Sequence, residues 1–370
     1  MSRRQQRQPI RFDAILLLLT LALLIIGLVM VYSSSYGYAY EGDDSGPGDS
    51  LAFFKRQAMW AALGVVGLVA ATRLDYRMWG RRPWLLWIGA GTLLLLVLMI
   101  FSEGRSIQVG PVGGQPSEFA KVGVIIYMAA WLATPGRDVR NFWLGFLPFA
   151  LLMAVPVVIT LFDPDFSTAL ILGLTLTGMY MVAGAGLRET GLIVGGGFSL
   201  LIGAGLLTED FRMGRLLAWV RAEPGEQLSD VLMAFGRGGM FGVGLGNSTA
   251  KLRVYAAHSD CILAVIGEEF GLVGSLVVLA LYALWAWRGL RIASQCPDRF
   301  GALLAQGLAG WVAFQVIVNV GALTGSLPFT GTVLPFVSGG GSSLMTLLVA
   351  TGILLSISAH EKPRRAEPTP

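Results

Sequence analysis

"AILLLLTLALLIIGLVMVY", residues 14–32, runs from Ala14 to Tyr32 without a formal charge. Wound as an α-helix at about 1.5 Å per residue, it reaches about 30 Å, the thickness of a bilayer's hydrocarbon core. Further apolar runs follow at Gln57–Ala71, Trp84–Phe101, Phe119–Ala133, Leu144–Leu161, Thr168–Ala185, Leu192–Leu207, Cys261–Trp287, Gly301–Thr324 and Ser342–Ile357. The composition agrees: 54% of the 370 residues are hydrophobic and 14% charged, whereas soluble domains are about a quarter charged. The mean hydropathy is +0.67. The expected fold is all-α, a polytopic membrane protein of about ten transmembrane helices forming a single membrane domain over 1–370.

Basic residues are retained on the cytoplasmic side of membranes. Arg3, Arg4, Arg7 and Arg11 precede the first run, and Arg73, Arg77, Arg81, Arg82, Arg137, Arg140, Arg188, Arg288, Arg291, Arg299, Lys362, Arg364 and Arg365 fall on the same side of an alternating topology. Both termini, 1–13 and 358–370, are therefore expected in the cytoplasm. "SRRQQRQ" resembles the start of a signal peptide, but the apolar run is long and no clear small-residue cleavage site follows, so an uncleaved anchor is expected. The basic pI of 9.2 reports this topology, and no motif supports nucleic-acid binding. Cys261 and Cys296 stand at opposite ends of one expected helix and cannot pair.

The outer connections are long, above all 208–260, the large extracytoplasmic segment before the eighth span. Within it Phe211–Arg221 reads as an amphipathic helix suited to headgroups, with Arg212, Arg215 and Trp219. Leu228, Val231, Leu232 and Phe235 form a second helical stripe. Gly236, Gly238, Gly239, Gly242, Gly244 and Gly246 follow; they match no dinucleotide-binding pattern and suit sharp turns or close approach of the backbone to a ligand. A transporter buries its decisive charges near the midplane. Here the polar groups gather at the outer rim, which favours chemistry at the outer surface.

Four stretches could carry that chemistry. In "EGRSIQVGPVGGQPSEFAK", Pro116 suits a helix start, with Glu118 near its positive end and Lys121 one turn on. The pattern fits a capped helix with a surface ion pair, or an anion site of Arg105 and Lys121 oriented by Glu118. In "DPDFSTAL", Asp165 can cap the following span; two carboxylates, Asp163 and Asp165, without a third ligand do not make a metal motif. "AAHSDCILAVIGEEF", residues 256–270, places His258 and Asp260 at the junction of loop and lipid, with Glu268 and Glu269 further along. Asp260 is either a helix cap or a general base raised from the ordinary aspartate range by partial desolvation. "SLPFTGTVLPFVSGGGSSL" is broken backbone between the last two spans, expected to line a cavity.

Taken in order, "QPSEFAKV", "DPDFSTAL", "GVGLGNSTAKL", "AHSDCILAVIGEEFG" and "LPFVSGGGSSL" resemble the signature segments of the SEDS family, the shape, elongation, division and sporulation proteins. "GLGNS" with Lys251 is similar to the division branch. Departures stand at Ser106, Ser167, Gly339 and at Val254, Tyr255 and Ala256, where the family carries Leu-Pro-Glu. The resemblance implies a peptidoglycan glycosyltransferase that polymerises lipid II into a nascent glycan strand, beside a class B penicillin-binding transpeptidase and other divisome or elongasome membrane proteins. It places the essential acid at Asp260, in "HSD". Substrate contacts are then expected from Arg105, Glu118, Lys121, Asp165, Asn247, Lys251, His258, Ser338 and Ser342, and structural support from Glu268 and Glu269. A divalent cation, Mg2+ or Mn2+, is the one cofactor expected. The rival readings are a lipid-linked-precursor flippase and a silent scaffold for the transpeptidase. The implied location is the bacterial inner membrane, at the septum for a division protein.

Overall fold

The computed structural model describes residues 12–35, 51–101, 107–109, 112–162, 166–207, 219, 221 and 225–360. Each expected span coincides with a helix: α1 (Ala14–Ser35), α2 (Ala52–Arg73), α3 (Arg82–Phe101), α4 (Pro116–Ala133), α5 (Leu147–Phe162), α6 (Phe166–Val182), α7 (Leu187–Leu207), α10 (Ile262–Gln295), α11 (Arg299–Leu323) and α12 (Gly341–Ser358). Between α7 and α10 stand α8 (Glu226–Gly238) and the single turn α9 (Ala250–Arg253). By length and composition, 6 helices among the described residues could cross a membrane: α1, α3, α5 with the π-turn before it, α10, α11 and α12. The all-α expectation needs one addition, an antiparallel hairpin of β1 (Ile107–Val109) and β2 (Val112–Gly114) in the segment before α4.

The apolar composition of α1 leaves Asp13 as its only local cap, and Asp13 Oδ1 accepts from Leu16 N at 2.8 Å. Its other oxygen pairs with Arg288 of α10, while its amide donates to Ser358 Oγ of α12 at 3.0 Å. One residue thus ties three helices at one end of the bundle. In a bilayer, helices gain from close backbone approach through small residues. A Cβ on Gly352 of α12 would lie 2.4 Å from Leu68 O of α2, and one on Gly27 of α1 would lie 2.4 Å from Phe336 O. α10, α11 and α12 supply most of the interior, with Trp285, Trp311 and Leu354 fully buried. Leu86 and Trp87 of α3, Leu151 of α5 and Leu276 and Val277 of α10 are exposed. Large apolar side chains over so much of the surface require a lipid solvent.

α10 is not continuous. Gly271 has φ 68° and ψ −166° inside it, and the glycine-rich segment fills the break. Leu272 N donates to Gly239 O at 2.9 Å and Val273 N to Met240 O at 3.1 Å, while Glu268 O and Glu269 O accept from Val243 N and Gly244 N at 2.9 and 3.0 Å. In an unbroken helix those donors and acceptors would pair with each other, four residues apart. Segment 239–244 is therefore spliced into the hydrogen-bond ladder of α10. The glycines permit it: a Cβ on Gly238 would lie 1.9 Å from Gly267 O, one on Gly242 2.1 Å from Glu269 O. Sharp turns or close approach to a ligand were expected of these glycines; what they approach is a helix backbone.

Candidate functional site

Asp260 lies in the turn that leads into α10. Ala256 holds φ 56°, and its carbonyl accepts from Ser259 N and Cys261 N at 3.0 and 3.2 Å. Cys261, not Asp260, is the N-cap residue of α10, and its side chain makes no capping hydrogen bond.

Three consecutive carbonyls of the "HSD" tripeptide are each held from outside. His258 O accepts from Gly339 N at 2.8 Å, Ser259 O from Ser338 Oγ at 2.6 Å, and Asp260 O from Asn319 Nδ2 at 3.0 Å. The segment 334–339 that supplies two of these donors is itself strained, with Phe336 at φ 64°. Ala256 and Phe336 are the only non-glycine residues with positive φ among those described. They flank one junction from its two sides. Left-handed backbone costs a non-glycine residue about 1–2 kcal/mol and concentrates where surrounding structure enforces it, commonly at functional sites.

Ser338 Oγ also accepts from Leu334 N at 2.7 Å, and Ser338 O accepts from Gln57 Nε2 at 3.0 Å. Its one hydroxyl proton goes to Ser259. Ser342 Oγ accepts from Gln115 N at 3.0 Å, bringing the starts of α4 and α12 together. The His258 ring packs on Phe53 with centroids 4.8 Å apart, and burial pushes its pKa below the ordinary 6.5, so the imidazole is neutral at pH 7. The broken stretch expected to line a cavity is largely buried, with Leu334, Phe336 and Val337 almost fully enclosed and its backbone bonded to Tyr282 and Gln315.

Glu118 and Lys121 are paired, Nζ to Oε1 at 2.8 Å, with side chains 5% and 2% exposed. The sequence suggested a surface pair; the contact is buried instead. Lys121 Nζ also stands 5.2 Å from the Trp311 ring centroid, and Trp311 is the middle residue of α11. Glu118 Oε2 has no hydrogen-bond partner among the described residues. The charges thus extend inward from the rim to the middle of the bundle. Trp311 Nε1 donates to Gln315 Oε1 at 2.8 Å, and Gln315 Nε2 to Val333 O at 2.9 Å. Asn319 Nδ2 completes the row, donating to Asp260 O and, at 2.6 Å, to Thr332 O. Trp311, Gln315 and Asn319 recur every four residues on one face of α11. They link the Lys121 site to the Asp260 site over about 12 Å of helix axis.

Glu268 is fully buried and accepts from Ser248 Oγ at 2.6 Å, Ala250 N at 2.8 Å, Thr249 N at 3.1 Å and Thr249 Oγ1 at 3.1 Å, with Arg237 Nε 3.6 Å away. It thereby fastens the end of the glycine segment to α10. Glu269 Oε1 accepts from Ser33 Oγ of α1 at 2.7 Å. Asn247 is exposed and donates to Val243 O at 3.1 Å; Lys251 donates to Gly246 O. Asn247 stands at the end of the glycine segment and Lys251 in α9, and both contacts run back to that segment. Arg105 and Asp165, with Asp163 and most of the Phe211–Arg221 helix, lie outside the described residues. Among the described residues no three His, Cys, Asp or Glu side chains converge, and Glu118 already serves Lys121, so these residues do not fit a protein cage for the expected divalent cation. Asn319 and Gln315 do not stand out in the sequence motifs. Polar residues repeated at i and i+4 in an otherwise apolar span were the available signal.

The bundle and its buried polar row define a polytopic, helical membrane protein whose segments between helices carry a strained junction at Asp260. The chain belongs to the cell cycle protein family of FtsW, RodA and SpoVE, whose sequence profile matches residues 14–363. It is 37% identical to Stage V sporulation protein E of Bacillus subtilis, over 95% of this chain and 98% of that one. It is also 37% identical to a probable peptidoglycan glycosyltransferase FtsW of Geobacter metallireducens, over 95% and 96%. A solved structure described as structural coordination of polymerization and crosslinking by a peptidoglycan synthase complex superposes with a TM-score of 0.74 at 26% identity, over 94% of this chain and 97% of that one.

Proposed function

We propose that the protein is a peptidoglycan glycosyltransferase that polymerises lipid II at the outer face of the bacterial cytoplasmic membrane, with both termini in the cytoplasm, in the septum during division. The observation that carries the reading is the pinned "HSD" tripeptide: the backbone under Asp260 is fixed on all three carbonyls. The Geobacter relative, a probable peptidoglycan glycosyltransferase, supports the activity. The solved synthase complex, which coordinates polymerization with crosslinking, supports a transpeptidase partner, here a class B penicillin-binding protein working with other divisome membrane proteins.

In this mechanism Asp260 takes the proton from the acceptor sugar's hydroxyl as that oxygen attacks the donor's anomeric carbon. The bond from that carbon to the pyrophosphate oxygen breaks, the configuration inverts, and the prenyl pyrophosphate departs. One base suffices, because the leaving group needs charge neutralisation rather than a proton. Arg105 and Lys251 are the cations for that charge, and Asp165, Asn247 and Ser342 contact the substrate. Lys121, closed to solvent, acts on the developing charge from beneath. Gly339 and Ser338 hold the base's backbone through the carbonyls of His258 and Ser259, and Glu268 and Glu269 hold the glycine segment against α10.

A second reading, a lipid-linked-precursor flippase, draws on the buried Glu118–Lys121 pair at the middle of the bundle. Reconstitution of the purified chain in vesicles with lipid II separates them. The polymerase yields glycan strands. Transport of lipid II without glycan would select the flippase, and no glycan from this chain together with peptide crosslinking by an added transpeptidase that depends on it would select a scaffold.

A further inference from the structure

We propose that Asn319 is the positioning residue for Asp260, an inference that rests on Asp260 being the base. Asn319 is 1% exposed. Its amide nitrogen donates to Asp260 O at 3.0 Å and to Thr332 O at 2.6 Å. Both partners are carbonyls, so the NH2 face of the amide is fixed without ambiguity. Its Oδ1 is buried and has no hydrogen-bond partner among the described residues. A buried acceptor left unbonded has a cost, and that cost is tolerated here to keep both hydrogens on the two carbonyls.

The geometry makes Asn319 different from its neighbours on α11. Gln315, one turn earlier, bonds Val333 O of the same loop but has no bond to the "HSD" segment. Ser338 and Gly339 hold Ser259 and His258 from the loop itself, so they move with it. Asn319 alone among the three donors stands on a transmembrane helix, and it bonds the Asp260 carbonyl and the loop at once. It therefore sets the height of Asp260 relative to the rigid bundle and to the buried Lys121 site on the same helix face. A base displaced by about 1 Å loses on the order of a hundredfold in rate while substrate binding elsewhere persists.

The test is steady-state lipid II polymerisation by the full chain, purified with its transpeptidase partner, comparing wild type, Asn319→Ala, Gln315→Ala and Asp260→Asn. Both alanine variants lose a bond from α11 to the same loop, and only one loses the bond to Asp260. Asn319→Ala should lower kcat at least about tenfold with KM within about twofold, and should move the acid limb of the kcat–pH profile, while Gln315→Ala should lower kcat by less than about threefold. Should Asn319→Ala not fold, Asn319→Ser, which keeps one donor, is measured against the same control and should fall in kcat beyond it. Equal losses in kcat for positions 319 and 315, or an effect of 319 on KM alone with an unchanged pH profile, would overturn the positioning role. Polymer from Asp260→Asn would instead overturn the reading of Asp260 as the base, whatever Asn319 does.

Discussion

Replacing Gly242 by alanine tests the spliced helix ladder quantitatively. Its φ of 81° imposes about 1–2 kcal/mol on any residue with a Cβ. The new methyl would stand 2.1 Å from Glu269 O and 2.4 Å from the Glu269 carbonyl carbon, backbone atoms that cannot rotate aside. Segment 239–244 must therefore lift, weakening the bonds from Val243 N and Gly244 N, each worth about 0.5–1.5 kcal/mol net. Together these come to about 2–5 kcal/mol. Gly246 is the matched control: its φ is 82°, yet nothing lies within 4 Å of its missing Cβ, so Gly246→Ala should cost only the backbone strain, about 1–2 kcal/mol. Amide hydrogen exchange in detergent or nanodiscs reads the difference directly, since a gap of about 1–3 kcal/mol is a factor of about 5–150 in local opening. Leu272 and Val273 should lose protection together with Val243 and Gly244 in Gly242→Ala and keep it in Gly246→Ala. Equal protection in the two variants would refute the splice.

Other consequences follow from the buried charges and the imidazole. Lys121→Ala leaves Glu118 unpaired with a 5% exposed side chain and should destabilise by about 3–5 kcal/mol; adding Glu118→Gln should recover most of the loss in a thermal melt. The His258 imidazole is held below 6.5 by burial, so the unfolded chain takes up its proton at higher pH than the folded one. The stability it contributes is present above 6.5 and is lost as pH falls below it; melts from about pH 7.5 to about 5 should show a decline that is shallower in His258→Gln.

The spans were legible because bilayer solvation demands long apolar runs, which no tertiary detail can disguise. The start of α4 was legible from Pro116. The break at Gly271 was not, because one glycine in an apolar helix ordinarily remains helical; only the partner segment some thirty residues earlier supplies the replacement bonds. Nor could local pattern show that Lys121 lies against Trp311, since i,i+3 spacing to Glu118 is the same on a surface helix and a buried one. Local pattern likewise leaves open whether Asp260 caps α10; the fold puts Cys261 at the N-cap of that helix. Asn319 carried a readable sign, the repeat with Gln315, but its target depends on where 256–260 lands.

The central claim is that Asp260 carries the proton transfer of glycan polymerisation. Its most direct test is gel-resolved polymer formation from purified lipid II by wild type and Asp260→Asn, at matched thermal stability and matched lipid II binding. Long glycan strands are expected from the wild type and none from Asp260→Asn, although the variant still binds lipid II. Strands from Asp260→Asn at the wild-type rate would contradict the claim.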